Sequence, residues 1–192
     1  MIRTKVVISM FLFLLLISAC SQKDLPAPEL QAASEGMMQE NSEPFTLTSS
    51  AFQNLEAIPV IYTCDGRDIS PPLNWDNPPP SSQSLVLIMD DPDAPVGTWD
   101  HWILFNLPPD ITSIPEDFTQ LPNGTKSGSN SWRKNEYGGP CPPGTTSHRY
   151  YFKLYALDTE LDLPEGSKKA AVEKAMKGHI LAQTELVGIY RP

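Results

Sequence analysis

Residues 84–107, SLVLIMDDPDAPVGTWDHWILFNL, hold two apolar runs around an acidic loop. Leu85-Val86-Leu87-Ile88-Met89 and Trp102-Ile103-Leu104-Phe105 have the length and the β-branched or aromatic content of strands buried on both faces. Between them, Asp90-Asp91-Pro92-Asp93-Ala94-Pro95 is closed by Trp99-Asp100-His101. This arrangement sets carboxylates and an imidazole at one end of a sheet. Pro92 and Pro95 fix φ and reduce the entropy lost on ordering the loop. Stiff strands carrying a stiffened polar loop have the makings of a binding site.

Outward from this stretch the pattern repeats. Strands are expected at residues 45–48, 59–62, 84–89, 101–107, 150–157 and 185–190. Prolines crowd the connections, as in Pro71-Pro72, Pro78-Pro79-Pro80, Pro108-Pro109 and Pro142-Pro143. No helical crossover separates the strands before residue 160, so the expected class is mainly β, an antiparallel sandwich with a few peripheral helices. One helix is expected near the C-terminus. Ser167 caps it, Val172, Ala175 and Met176 share a face, Lys177 complements the dipole and Gly178 stops it. The glycine- and asparagine-rich stretch 122–139 is a long loop, a kind more often functional than accidental.

The first residues read as targeting rather than fold. Arg3 and Lys5 precede a 12-residue apolar stretch, residues 6–17. A spanning helix needs ~20 residues, but this length suits a signal peptide. Ile17-Ser18-Ala19-Cys20 resembles a bacterial lipoprotein box, with Cys20 as the lipid-bearing residue after cleavage. The expected organisation is a signal peptide over 1–19, a disordered tether over 20–44 and a folded domain over 45–192. The tether carries five acidic residues, three prolines and no hydrophobic period. The chain is expected to be exported and held on a bacterial membrane by lipid on Cys20, on the periplasmic or outer-surface side.

Charge narrows the partners. The formal charge of −9 becomes −11 once Arg3 and Lys5 are removed, which argues against nucleic acid. Export also places Cys64 and Cys141 where they can pair. A disulfide is the expectation, with two separate buried thiols as the other arrangement.

A second polar cluster lies at 137–150, YGGPCPPGTTSHRY. Alternation puts His148 and Tyr150 on one strand face and Arg149 on the other, where an ion pair suits it. If the two clusters meet, His101, His148, Asp91 and loop amides converge. A carboxylate beside an imidazole favours the protonated, donor form, and two such rings suit a phosphate or sulfate.

Asp91-Pro92-Asp93-Ala94-Pro95, His101-Trp102, Gly139-Pro140 and His148-Arg149-Tyr150, in this order, resemble the phosphatidylethanolamine-binding protein family, closest to its bacterial Raf-kinase-inhibitor-like branch. Tyr62-Thr63-Cys64-Asp65-Gly66, the segment 69–75 (ISPPLNW) and Gly178-His179 support it. The resemblance covers about residues 45–192. It implies a β-sandwich with a small anion pocket near the surface. The implied ligand-binding residues are Asp91, His101, Gly139, Pro140, His148 and Tyr150, with Asp93 and Pro95 on the rim. Two departures concern the rim: the segment between Pro95 and His101 is short, and Cys141 enlarges the Gly-Pro loop.

Other readings stand beside this one. Asp91 and Asp93 are also suited to capping the turn, and His179, after a helix stop, reads as structural. His101, His148 and a carboxylate are suitable zinc ligands, but no close His/Cys spacing supports a metal. The Asp-rich loop lacks the Gly and Glu of a calcium loop. Ser147 and His148 point to opposite faces, and no Gly-x-Ser-x-Gly elbow exists, so a hydrolase is unsupported. The expectation is a non-enzymatic module without cofactor, binding a small phosphorylated or anionic ligand. The alternatives are a regulator of an envelope protein, inhibitor-like, or an acid–base enzyme on a phosphorylated small molecule.

Overall fold

Strands β3 (Ser84–Asp91) and β4 (Trp99–Leu107) pair antiparallel at the centre of the molecule, and all eight residues of β3 are buried. The computed structural model describes residues 43–192. The signal peptide, Cys20 and nearly all of the tether expected over 20–44 lie outside those residues.

The remaining elements are β1 (Thr46–Thr48), β2 (Leu73–Asp76), β5 (Ser113–Ile114), β6 (Lys126–Ser127), β7 (His148–Leu157), helix α1 (Lys169–Met176) and β8 (Ile180–Tyr190). They form two antiparallel sheets, β1-β2-β5 and β6-β4-β3-β7-β8. β3 is buried on both faces because each face meets a different layer. Leu85, Leu87 and Met89 join Trp102, Leu104, Phe152 and Leu154 and pack with Leu47, Leu73 and Trp75 of the small sheet. Val86 and Ile88, with Ile103 and Phe105, pack instead on Val172 and Met176 of α1. The class is the mainly β sandwich expected from the apolar runs, with one helix over the far face.

Several local expectations need correction. Residues 59–62 are not a strand: Val60–Tyr62 is a 3₁₀ turn whose Tyr62 amide donates back to Pro59. Val60 is exposed there, so the run lacks two buried faces. β2, β5 and β6 were not expected. β2 shows a clean in–out alternation but spans four residues between proline runs, and the other two have two residues each. β8 starts five residues earlier than the apolar run 185–190, because its first half is more exposed. In α1 the cap position is Lys168, while the Ser167 hydroxyl donates to the Pro164 carbonyl. The buried pair Val172 and Met176 and the positive φ of Gly178 are as the helical pattern requires.

Candidate functional site

β7 delivers His148 and Tyr150 inward and Arg149 outward, as alternation demands. β4 does not alternate regularly. Met89 pairs with Trp102 but Asp90 pairs with Asp100, so His101 is an extra residue on β4, a β-bulge. Without the bulge, His101 would take the face opposite Trp102, towards α1. With it, Asp100 takes that face instead. There Lys169 meets Asp100 at 2.5 Å and Asp90 at 3.0 Å, and Lys153 meets Asp90 at 2.8 Å. Burial opposes the Lys169 charge, but the bonds to Asp100 and Asp90 outweigh it and raise its pKa. Asp90 and Asp100 therefore serve the helix layer.

His101 turns towards the second cluster. Its Nδ1 donates to the Gly138 carbonyl at 2.7 Å, leaving Nε2 for other partners. The ring meets Trp132 and Tyr150 edge-on, with centroids 5.0 and 5.2 Å away. Burial depresses its pKa below the ordinary 6.5, outweighing the Gly138 bond and the Asp91 charge. The protonated resting form expected of His101 is thus not favoured, because desolvation beats the neighbouring carboxylate.

Asp91 is buried and held at both oxygens. The Asp93 amide donates to Oδ1 at 2.8 Å and His148 Nδ1 to Oδ2 at 2.8 Å. Asp93 itself grips Arg149, which donates to it from Nε at 2.9 Å, from a terminal nitrogen at 2.7 Å and from its amide at 3.0 Å. The Arg149 bonds hold the Asp93 carboxyl down at about 2. Arg149 forms the ion pair expected of it, and Asp93 ties the loop to β7. His179 pairs with Asp158, away from these groups.

A cavity of about 220 Å³ beside these groups has Asp91, Pro95, Trp99, His101, Trp132 and Cys141 in its wall. His148 lies behind Asp91. Among the described residues the buried Trp99 Nε1 in this wall has no partner, and the Tyr150 hydroxyl lies near the Asp91 carboxylate and the Cys141 backbone without a well-formed bond to either. Burial and the Asp91 charge raise the Tyr150 pKa, so the hydroxyl keeps its proton.

Gly139 and Pro140 take a different place from the one implied for them. The Gly139 amide donates to Asp68 at 2.6 Å, and the Pro140 carbonyl accepts from the Cys64 amide at 3.1 Å. Both anchor the loop from behind the cavity. A Cβ at Gly139 would collide with the Tyr62 carbonyl and Asp68, so the close approach requires glycine. The anchor is completed by a Cys64–Cys141 disulfide, and Cys141 carries it into the cavity wall. Trp99 as a donor and Cys141 as a wall residue escaped the sequence pattern. The signal for Trp99 was its place between the proline-rich loop and His101. Among the described residues no cluster of three or more His, Cys, Asp or Glu is placed to hold a metal, and no helix is long and apolar enough to cross a membrane.

A family model described as Phosphatidylethanolamine-binding protein matches residues 48–191. The chain belongs to the phosphatidylethanolamine-binding protein family. It is 51% identical over 148 residues to a "UPF0098 protein" of Methanothermobacter thermautotrophicus, covering 76% of this chain and 97% of that one. A protein of the same name from Aquifex aeolicus is 48% identical, with 74% and 86% covered. Among solved structures, a phosphatidylethanolamine-binding protein homologue from Chlamydia trachomatis is similar at TM-score 0.74 and 42% identity, covering 79% of this chain and 99% of that one. Escherichia coli YbcL is similar at TM-score 0.73 and 31% identity, covering 78% and 99%. Both solved structures are covered over 99% of their own chain, so the domain of residues 43–192 corresponds to a whole chain in each of them.

Proposed function

We propose that this domain is a non-catalytic binding module for a small phosphorylated anion, a headgroup or a metabolite, taken up in the cavity walled by Asp91, Trp99 and His101, with Tyr150 against the His101 ring. The observation that carries the reading is the buried Trp99 Nε1, without a partner among the described residues, beside the free Nε2 of His101. A buried donor without a partner costs about 1–3 kcal/mol, which a ligand oxygen would recover. The Asp91 carboxylate in the wall favours a monoanion that retains one O–H to donate to it. A fully deprotonated phosphate would meet like charge there. His101 would gain its proton as the anion enters. Cys20 would hold the module on the membrane by its lipid, in the cell envelope.

The test is a titration of residues 43–192 with inorganic phosphate, phosphoethanolamine and phosphotyrosine, following the imidazoles by NMR. Binding in the cavity shifts His101 and His148 together and leaves His179 still. Silence of all three at millimolar ligand would sink the reading.

A second reading has one observation in its favour. Val96, 78% exposed, and Trp132, 41% exposed, flank the cavity mouth as an apolar rim. Such a rim suits a protein partner that docks over the cavity, as an envelope regulator would. Binding of phosphotyrosine only within a peptide, and of neither small phosphate, would favour it.

A further inference from the structure

A cleft of about 590 Å³ opens on the other side of the loop that walls the anion cavity. It runs between Arg67–Ser70, the 117–121 loop, residues 135–137 and Glu165. Polar surface makes up the larger part of its wall, and the apolar and aromatic part comes from Ile69, Phe118, Tyr137 and the edge of the nearly buried Trp102. Its rim is acidic, with Asp68, Asp117, Glu136 and Glu165 against the one cation Arg67. Two of these carboxylates are answered locally, Glu136 by Lys134 at 3.0 Å and Asp117 by Arg67 at 4.0 Å. Asp68 and Glu165 make no ion pair among the described residues.

We propose that this cleft is a second binding site, for a small organic cation with an apolar body, such as an arylalkylamine. Three features point to this class. The volume is in the range of small-molecule sites, about 300–1,000 Å³. Aromatic faces attract an ammonium group as well as an apolar ring. The rim carboxylates without an ion-pair partner supply charge complementarity and repel anions, so this site and the phosphate cavity select opposite charges. The two sites share structure. Asp68, on the cleft, accepts the Gly139 amide, and the adjacent Gly138 carbonyl holds His101. A cation seated against Asp68 therefore acts on the residue next to the one that orients His101.

The experiment titrates residues 43–192 with phenethylamine, with phenylethanol as a neutral analogue of similar shape and with phenylacetate as the anionic one. The readouts are the Trp102 indole and Phe118 amide resonances. Phenethylamine should bind and shift both, phenylethanol should bind more weakly, and phenylacetate should not bind. Glu165→Gln and Asp117→Asn, both at exposed positions, should each weaken phenethylamine about three-fold, the size of a partly screened charge contact. Neither should change the phosphate response of His101 and His148, which separates this proposal from the anion reading. Equal binding of all three compounds would reduce the cleft to a greasy surface and overturn the proposal. So would shifts confined to the Asp91–His101 cavity, no shift at all, or unaltered affinity in both variants.

Discussion

His101 and Gly138 exchange two hydrogen bonds: the imidazole Nδ1 donates to the Gly138 carbonyl at 2.7 Å, and the Gly138 amide donates to the His101 carbonyl at 3.1 Å. The pair fixes the ring tautomer, so Nε2 is the free nitrogen. It also joins β4 to the glycine-rich loop at the point where the cavity wall begins.

Phosphate affinity should rise with acidity. Burial holds the His101 pKa below 6.5, so the unliganded ring is neutral at pH 7, and an incoming anion must draw a proton onto it. Calorimetry in buffers of different ionisation enthalpy should register proton uptake, and affinity should climb as pH falls from 8 to 6. The unliganded domain should do the opposite. The His101 contribution to stability is fully present above 6.5 and is lost as pH falls through the depressed folded-state value. Melting temperature should therefore fall on mild acidification and be restored by phosphate. Affinity independent of pH would remove His101 from the binding set.

Tyr150→Phe should separate binding from stability. The hydroxyl makes no well-formed hydrogen bond among the described residues, so its removal should change stability by no more than about 1 kcal/mol. Phosphate binding should weaken by about 1 kcal/mol, roughly five-fold, for one lost hydrogen bond. A destabilised variant with intact affinity would show that the hydroxyl serves the fold.

Reduction of the disulfide should act on both. Cys64 and Cys141 are 77 residues apart, and loop-entropy reasoning for that separation gives about 4.5 kcal/mol. The double variant Cys64→Ser/Cys141→Ser should melt at a markedly lower temperature. Because Cys141 is in the cavity wall, phosphate affinity should drop at temperatures where the variant is still folded. Chemical denaturation with and without dithiothreitol measures the first effect and NMR titration the second.

Lys169→Met should destabilise the domain by about 3 kcal/mol, the usual cost of breaking a largely buried ion pair from one side. Asp90 keeps Lys153, but Asp100 loses the cation that meets it at 2.5 Å. Adding Asp100→Asn should recover much of the loss in a double-mutant cycle. An unaltered melting temperature in the single variant would mean that solvent already screens the pair.

The central strands were legible because Val86, Ile88, Leu85 and Leu87 are apolar whichever way they point, and only a doubly covered strand tolerates that. Asp91, His101, His148 and Tyr150 were legible as ordered motifs, and the fold does bring them together. Gly139 and Pro140 were legible as a motif but not as a role. Their amide and carbonyl could point to either side of the loop, and contacts with Asp68 and Cys64, over seventy residues away, decide it. β5 and β6, two residues each, are shorter than the window over which periodicity has meaning, and β2 alternates over only the four residues between two proline runs. His101 lay beyond alternation altogether, since period-two reasoning sends it to the helix face.

The bulge at His101 can be described as local frustration. Trp102 opposite Met89 and Asp100 opposite Asp90 sit on successive faces, as they would in a chain that lacked His101. Deleting His101 would therefore leave its neighbours with the same partners and the same sides and would close this break in the ladder, while the one between Leu85 and Leu87 would remain. At this point of the strand a regular ladder and one that offers an imidazole to the cavity differ by a single residue. Fold and site thus make opposing demands at that position, and the chain as it stands meets the demand of the site.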